Sequence, residues 1–146
     1  MEKKYITWEK YNETIQGISE YFKDKEIDKI VGIYKGGLIP AIQIANILNK
    51  PLDIVKFQRY NGNDRQAEYI YKATEGNKIL IVDDIIDSGE TIEKVLELFE
   101  NKEMYLTALI IKNKGFERLR KIGLEKYHIP YYEPDENGWI VFPWEV

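Results

Sequence analysis

The chain of 146 residues contains no cysteine, which closes off a disulfide framework and any thiolate metal site. Its single histidine, His128, matches no catalytic pattern and reads as structural. No apolar run approaches the ~18 residues that span a bilayer. The opening "MEKKYITWEKYNET" lacks the apolar stretch of a signal peptide, so a cytoplasmic location with no membrane partner is expected. An excess of positive charge is also missing. With a net charge of −4, general attraction to nucleic acid is not expected, and a polyanionic ligand must be held by local groups. Repeats, low-complexity tracts and linkers are absent, and the length is common for one domain, so residues 1–146 are expected to form a single unit. What is present, 44% hydrophobic and 32% charged residues, is the mixture of a globular protein.

Thr7 precedes a helical stripe of Trp8, Tyr11, Ile15, Ile18 and Phe22, which predicts an amphipathic helix with a threonine N-cap. A short apolar strand from Lys29 to Tyr34 follows, then a Lys-Gly-Gly turn, then a helix carrying Leu38, Ala41, Ile44, Ala45 and Leu48 on one face. "LDIVKFQ" and "EYIYKA" read as strands, and the polar "RYNGNDRQA" between them as a hairpin tip or a mobile flap. "KILIVDD" has the continuous apolar run of a strand buried on both faces of a parallel sheet. A helix with Ile92, Val95, Leu96 and Phe99 at i, i+3, i+4 and i+7 comes next, then "YLTALIIK" as one core strand and "GWIVF" as a last extended stretch. Strands alternating with helices predict an α/β domain with a mainly parallel sheet.

The stretch "ILIVDDIIDSGETI" places Asp83, Asp84 and Asp87 beyond the end of a strand, where open parallel sheets bind ligands. "SGET" then leads into a helix whose free N–H groups and positive dipole end favour an anion. Gly89 allows a tight turn, and Ser88 and Thr91 add hydroxyl donors. An N-cap needs one acid rather than three, so carboxylates beside a phosphate nest suggest a sugar phosphate bound with Mg²⁺. This stretch closely resembles the phosphoribosyl-pyrophosphate (PRPP) signature of type I phosphoribosyltransferases. The resemblance implies that Asp83 and Asp84 lie at the ribose hydroxyls and the Mg²⁺ shell. It also implies that Asp87, Ser88, Gly89, Glu90 and Thr91 cradle the 5′-phosphate.

Further segments fit the same family. "IVGIYKGGLIPA", about 45 residues upstream, resembles its pyrophosphate loop, with Lys35 supplying charge and Gly36 and Gly37 opening the backbone to the leaving group. Relatives often carry a non-proline cis peptide there, which would be Tyr34–Lys35. Lys112 and "GWIVFPWEV" resemble the purine-binding parts of the short 6-oxopurine enzymes. This implies Lys112 donating to the purine O6, Trp139 stacking on the base, and the Ile140 backbone at its edge. A lysine has donors only and would face an amino group in adenine, so it favours guanine, hypoxanthine or xanthine. "YNGNDRQAEYIYKATEGNK" resembles the family's flexible loop, with Arg65 reaching the pyrophosphate. Implied with these are a twisted parallel sheet flanked by helices, a small C-terminal hood, and transfer of 5-phosphoribosyl from PRPP to a purine. Asp87 would act at the purine N7 side, and the protein would form a homodimer or homotetramer. Lys35, where close relatives often have arginine, and a chain ending at Val146 are the departures from the pattern. A receiver domain, which "KILIVDD" also resembles, needs more than the 62 residues after Asp84. A nucleotide-sensing regulator on the same fold is the alternative.

Overall fold

A computed structural model describes residues 2–60, 64–73 and 75–145. In chain order the elements are β1 (Lys3–Tyr5), α1 (Trp8–Phe22), β2 (Lys29–Tyr34), α2 (Leu38–Leu48), β3 (Leu52–Tyr60), β4 (Asp64–Tyr71), β5 (Lys78–Val82) and β6 (Ile85–Ile86). Then come α3 (Glu90–Glu97), β7 (Glu103–Thr107), β8 (Ile110–Lys112), α4 (Asn113–Lys121), β9 (Tyr127–His128), β10 (Tyr131–Glu133) and β11 (Trp139–Val141), with a closing 3₁₀ turn at Pro143–Glu145. The main sheet has the order β4-β3-β2-β5-β7-β9, parallel throughout except for the edge strand β4. This is the expected α/β architecture.

The apolar run of β5 has the consequence read from it. Successive side chains alternate between faces, and Leu80 and Val82 join one core with α1 and α2 while Ile79 and Ile81 join another with α3 and α4. At Gly32 a β-carbon would lie 2.7 Å from Ala41 Cβ, so α2 packs directly on β2. Thr7 caps α1 by accepting from Lys10 N at 3.0 Å. Trp8, placed on the buried stripe by periodicity, is half-exposed and instead packs by its edge against Tyr11 and near Trp144. His128 stacks on Tyr21 with ring centroids 4.1 Å apart.

Two expectations change, and two features go beyond them. "YLTALIIK" is two strands, because Leu109 N and Ile110 N both turn to Asp84 O, at 3.0 and 3.3 Å, and β8 leaves the main sheet to pair with β6 and β10. "RYNGNDRQA" is largely strand: the antiparallel pairing of β3 and β4 continues through Arg59↔Arg65 to Tyr60↔Asp64. The tip of that segment, residues 61–63, and residue 74 lie outside the described residues. Helix α4 was not anticipated. "GWIVF" forms its strand by pairing with β1 at the far end of the chain, and this pair with the 3₁₀ turn makes the hood. Among the described residues, no helix is long and apolar enough to cross a membrane.

Candidate active site

Strands β2 and β5 are parallel neighbours, so the turns that leave their carboxyl ends meet. At Gly37 a β-carbon would come 2.6 Å from Val82 O and 2.9 Å from Asp83 Cα. At Gly36 it would overlap the Asp84 carboxyl group. Only glycine lets the two turns touch backbone to backbone. The Tyr34–Lys35 peptide is cis, as the family resemblance implied, and Lys35 is exposed beside the entrance to α2.

Asp83 is buried, and its Oδ1 accepts from Asp84 N at 2.8 Å. Asp84 is half-buried, with Oδ1 accepting from Ile85 N at 2.7 Å. Burial, and then the neighbouring Asp84, push the Asp83 carboxyl well above the ordinary carboxylate range. Burial also raises Asp84, while hydrogen bonds from Asp83 and the backbone act against that rise. A pair of carboxyls whose charged forms are disfavoured in this way gains from a cation, so the donor chemistry fits Mg²⁺. Among the described residues no group of three or more His, Cys, Asp or Glu side chains forms a cage. A metal here would therefore take most ligands from a bound diphosphate and water, which is the habit of Mg²⁺.

Beyond β6, residues 87–91 turn into α3. Asp87 and Ser88 are exposed, and Ser88 Oγ accepts from Glu90 N at 3.3 Å. Gly89, with φ +83°, occupies the N-cap position and makes no side-chain cap, which leaves N–H groups of the first turn for a ligand. Glu90 and Thr91 are part-buried at the helix start. Glu90 and Glu93 put acid into the first turn, and Glu93 is paired with Arg118 of α4 at 2.7 Å.

The other end of the site is built around Lys112. Only 6% exposed, it ends β8 and donates to Gly138 O at 2.8 Å and Glu136 O at 3.4 Å. Its Nζ lies 3.9 Å from Asp87 Oδ2. The 134–138 turn that supplies these carbonyls is itself held, by Asp135 N donating to Glu133 Oε1 at 3.1 Å and Lys114 N donating to Glu136 Oε1 at 3.1 Å. Trp139 follows directly and is 52% exposed, leaving a ring face to solvent. Ile140 is part-buried and lines a cavity of about 210 Å³ with Leu109, Ile110, Tyr131 and Phe142.

The fold thus gathers residues 36–37, 83–84, 87 and 112 by direct contact or close approach, with 88–91 and 139–140 adjoining them in the chain. Arg65 stands in β4 opposite Arg59, and its side chain lies outside what is described. Sequence reasoning missed the two carbonyls that hold Lys112, and Arg118 against the 87–91 loop. No local pattern announces either. The arrangement can accept a ligand with a phosphate at one end, hydroxyls near a carboxyl pair, and a flat ring between an aromatic face and an ammonium donor.

A profile of the phosphoribosyl transferase domain matches residues 7–146. The xanthine-guanine phosphoribosyltransferase of Cereibacter sphaeroides is 31% identical over 124 residues, covering 80% of this chain and 68% of that protein. The adenine phosphoribosyltransferase of Haemophilus influenzae is 25% identical over 141 residues, covering 84% of this chain and 78% of its own length. Among solved structures, the purine phosphoribosyltransferase of Pyrococcus horikoshii superposes with a TM-score of 0.76 at 30% identity, over 100% of this chain and 96% of that one.

Proposed function

The chain belongs to the phosphoribosyltransferase family, and from that premise we propose that it transfers the 5-phosphoribosyl group of PRPP to a 6-oxopurine in purine salvage. The products are a nucleoside 5′-monophosphate and pyrophosphate. The purine class rests on the relatives above. The narrower 6-oxopurine reading rests on one observation, the buried Lys112 ammonium. Two of its three N–H groups go to the Gly138 and Glu136 carbonyls, and the third, with Asp87 Oδ2 3.9 Å from the nitrogen and so beyond a direct hydrogen bond, is the one for a base. A donor there suits the O6 carbonyl of guanine, hypoxanthine or xanthine and opposes the amino group of adenine.

In this reading the C1′–O bond to pyrophosphate breaks with its electron pair on the leaving group, and a C1′–N bond forms to the purine. The purine proton passes to Asp87. Gly36 N–H and Lys35 present a donor and charge to the pyrophosphate, with Arg65 reaching it from the hairpin; the Gly37 N–H, expected to join them, is spent on Ile33 O at 2.9 Å, so Gly37 serves by its lack of a side chain. Residues 87–91 hold the 5′-phosphate, Asp83 and Asp84 the ribose hydroxyls, and Trp139 and the Ile140 backbone the base. Mg²⁺, held by Asp84 and Asp83 together with the diphosphate, would supply charge neutralisation at the leaving group. A cytoplasmic homo-oligomer completes the proposal.

The test is pyrophosphate release from PRPP and Mg²⁺ with each of adenine, guanine, hypoxanthine and xanthine. Release with one or more oxopurines and little with adenine is expected. Release with adenine alone would overturn the base assignment, and release with none would overturn the activity.

A further inference from the structure

Helix α4 is the floor beneath the 87–91 loop. At Gly115 a β-carbon would come 2.7 Å from Ile86 O and 2.9 Å from Asp87 O, so the helix meets this main chain with nothing between. One turn further on, Arg118 Nε donates to Ser88 O at 3.3 Å while its NH1 donates to Glu93 Oε2 at 2.7 Å. The aliphatic stem of Arg118 lies against Gly89, where a β-carbon would sit 2.8 Å from both Cβ and Cγ. The side chain therefore grips the loop at its carbonyl, packs under its glycine, and bridges to the helix that follows.

A trans peptide is planar and points its C=O and N–H in opposite directions. Holding the Ser88 carbonyl toward α4 turns the Gly89 N–H away from α4. That N–H stands at the start of α3, among the groups that would receive a phosphate. The same guanidinium covers the charge of Glu93, which otherwise stands unneutralised in the first turn of α3. The two contacts come from different nitrogens, Nε and NH1, held apart by one rigid planar fork, whereas a lysine carries all its donors on a single nitrogen.

We infer that Arg118 is a positioning residue for the 5′-phosphate: through the Ser88 carbonyl it fixes the Ser88–Gly89 peptide with its N–H turned toward the ligand. This rests on the phosphoribosyltransferase reading and deepens it. Because α4 starts directly after Lys112, one strand–helix unit carries the base donor at its bend and the support of the phosphate loop nearly two turns later.

The test compares wild type, Arg118→Ala and Arg118→Lys in steady-state kinetics and in calorimetric titration with PRPP and Mg²⁺. Both variants should raise KM for PRPP by about tenfold, the loss of roughly one charge-assisted hydrogen bond, while kcat and KM for the base stay within about twofold. Arg118→Lys behaving as wild type would overturn the inference, because charge alone would then suffice. A parallel rise in both KM values would overturn it as well, since that is general loosening. PRPP binding by wild type that is undiminished in Arg118→Ala refutes only the positioning role. Absence of PRPP binding by wild type refutes the enzyme reading beneath it.

Discussion

Replacing Asp53 with alanine should come close to unfolding this protein, although the residue lies outside the candidate site. Lys29 heads β2 and Asp53 sits on the adjacent β3, with Nζ and Oδ2 2.6 Å apart and the side chains only 1% and 0% exposed. The second carboxylate oxygen accepts from Ala73 N at 2.8 Å, just past β4, so one side chain joins three strands at the root of the hairpin that carries Arg65. Truncating it leaves the Lys29 ammonium buried without its carboxylate, which costs about 3–5 kcal/mol. The lost acceptor for Ala73 N–H adds about 1 kcal/mol. The Tyr69 ring, 5.9 Å from Lys29 Nζ, offsets little at that range. The sum, about 4–6 kcal/mol, is a large part of the roughly 5–15 kcal/mol that holds a domain folded. Replacing both partners together, as Lys29→Met with Asp53→Leu, removes both charges and should cost far less than the two single changes added. Urea unfolding followed by fluorescence of Trp8, Trp139 and Trp144 measures wild type, Asp53→Ala, Lys29→Met, Asp53→Leu and the double variant. A loss under about 1 kcal/mol for Asp53→Ala, the size of an exposed pair, would refute the reasoning. Strict additivity in the double variant would do so as well.

Three further outcomes are expected. Asp83→Asn retains the acceptor for Asp84 N but removes a carboxyl whose native pKa lies above its unfolded value near 3.8. The native state binds that proton more tightly, so wild-type stability falls as pH rises from the unfolded pKa through the native one. The variant's gain in Tm should therefore be small near pH 4 and grow toward neutrality; a gain that does not vary with pH in thermal melts would count against it. Gly36→Ala places a methyl group in the Asp84 carboxyl, and kcat/KM for PRPP should drop by about 10²-fold with little change in Tm. Asp87→Ala should lower kcat by about 10²–10⁴ while PRPP binding in calorimetry stays near wild type, and unchanged turnover would remove its assigned role.

Much of the fold was legible where the determining interactions are local. The Thr7 cap, the Lys29–Tyr34 strand and the double-faced run of β5 each declare themselves within a few residues. Where distant partners decide, the reading failed. Nothing within "YLTALIIK" signals a break, because the break is made by the Asp84 carbonyl taking two N–H groups. Polar residues hid the full length of β3 and β4, whose pairing places arginines opposite each other. Helix α4 buries only Gly115 and Leu119 completely, too thin an apolar face to stand out among its charges.

The candidate site divides along the same line, for a chemical reason. A phosphate cradle is made from consecutive backbone N–H groups, so it demands glycines and hydroxyls in one unbroken run, and residues 87–91 display it. The supports of that cradle face no such demand. A side chain with the right donors can come from anywhere in the sequence, and Arg118 reaches Ser88 across 30 residues. Base recognition lies between these cases. Lys112 is legible as a polar residue ending a strand, but its aim is set by the Gly138 carbonyl, 26 residues away. An ammonium alone can rotate its three donors toward many partners. Two of them committed to fixed carbonyls leave the third, with Asp87 Oδ2 3.9 Å from the nitrogen, for the base of the proposed reaction, and in that proposal its direction, absent from any motif, would favour the oxygen of an oxopurine over the amino group of adenine.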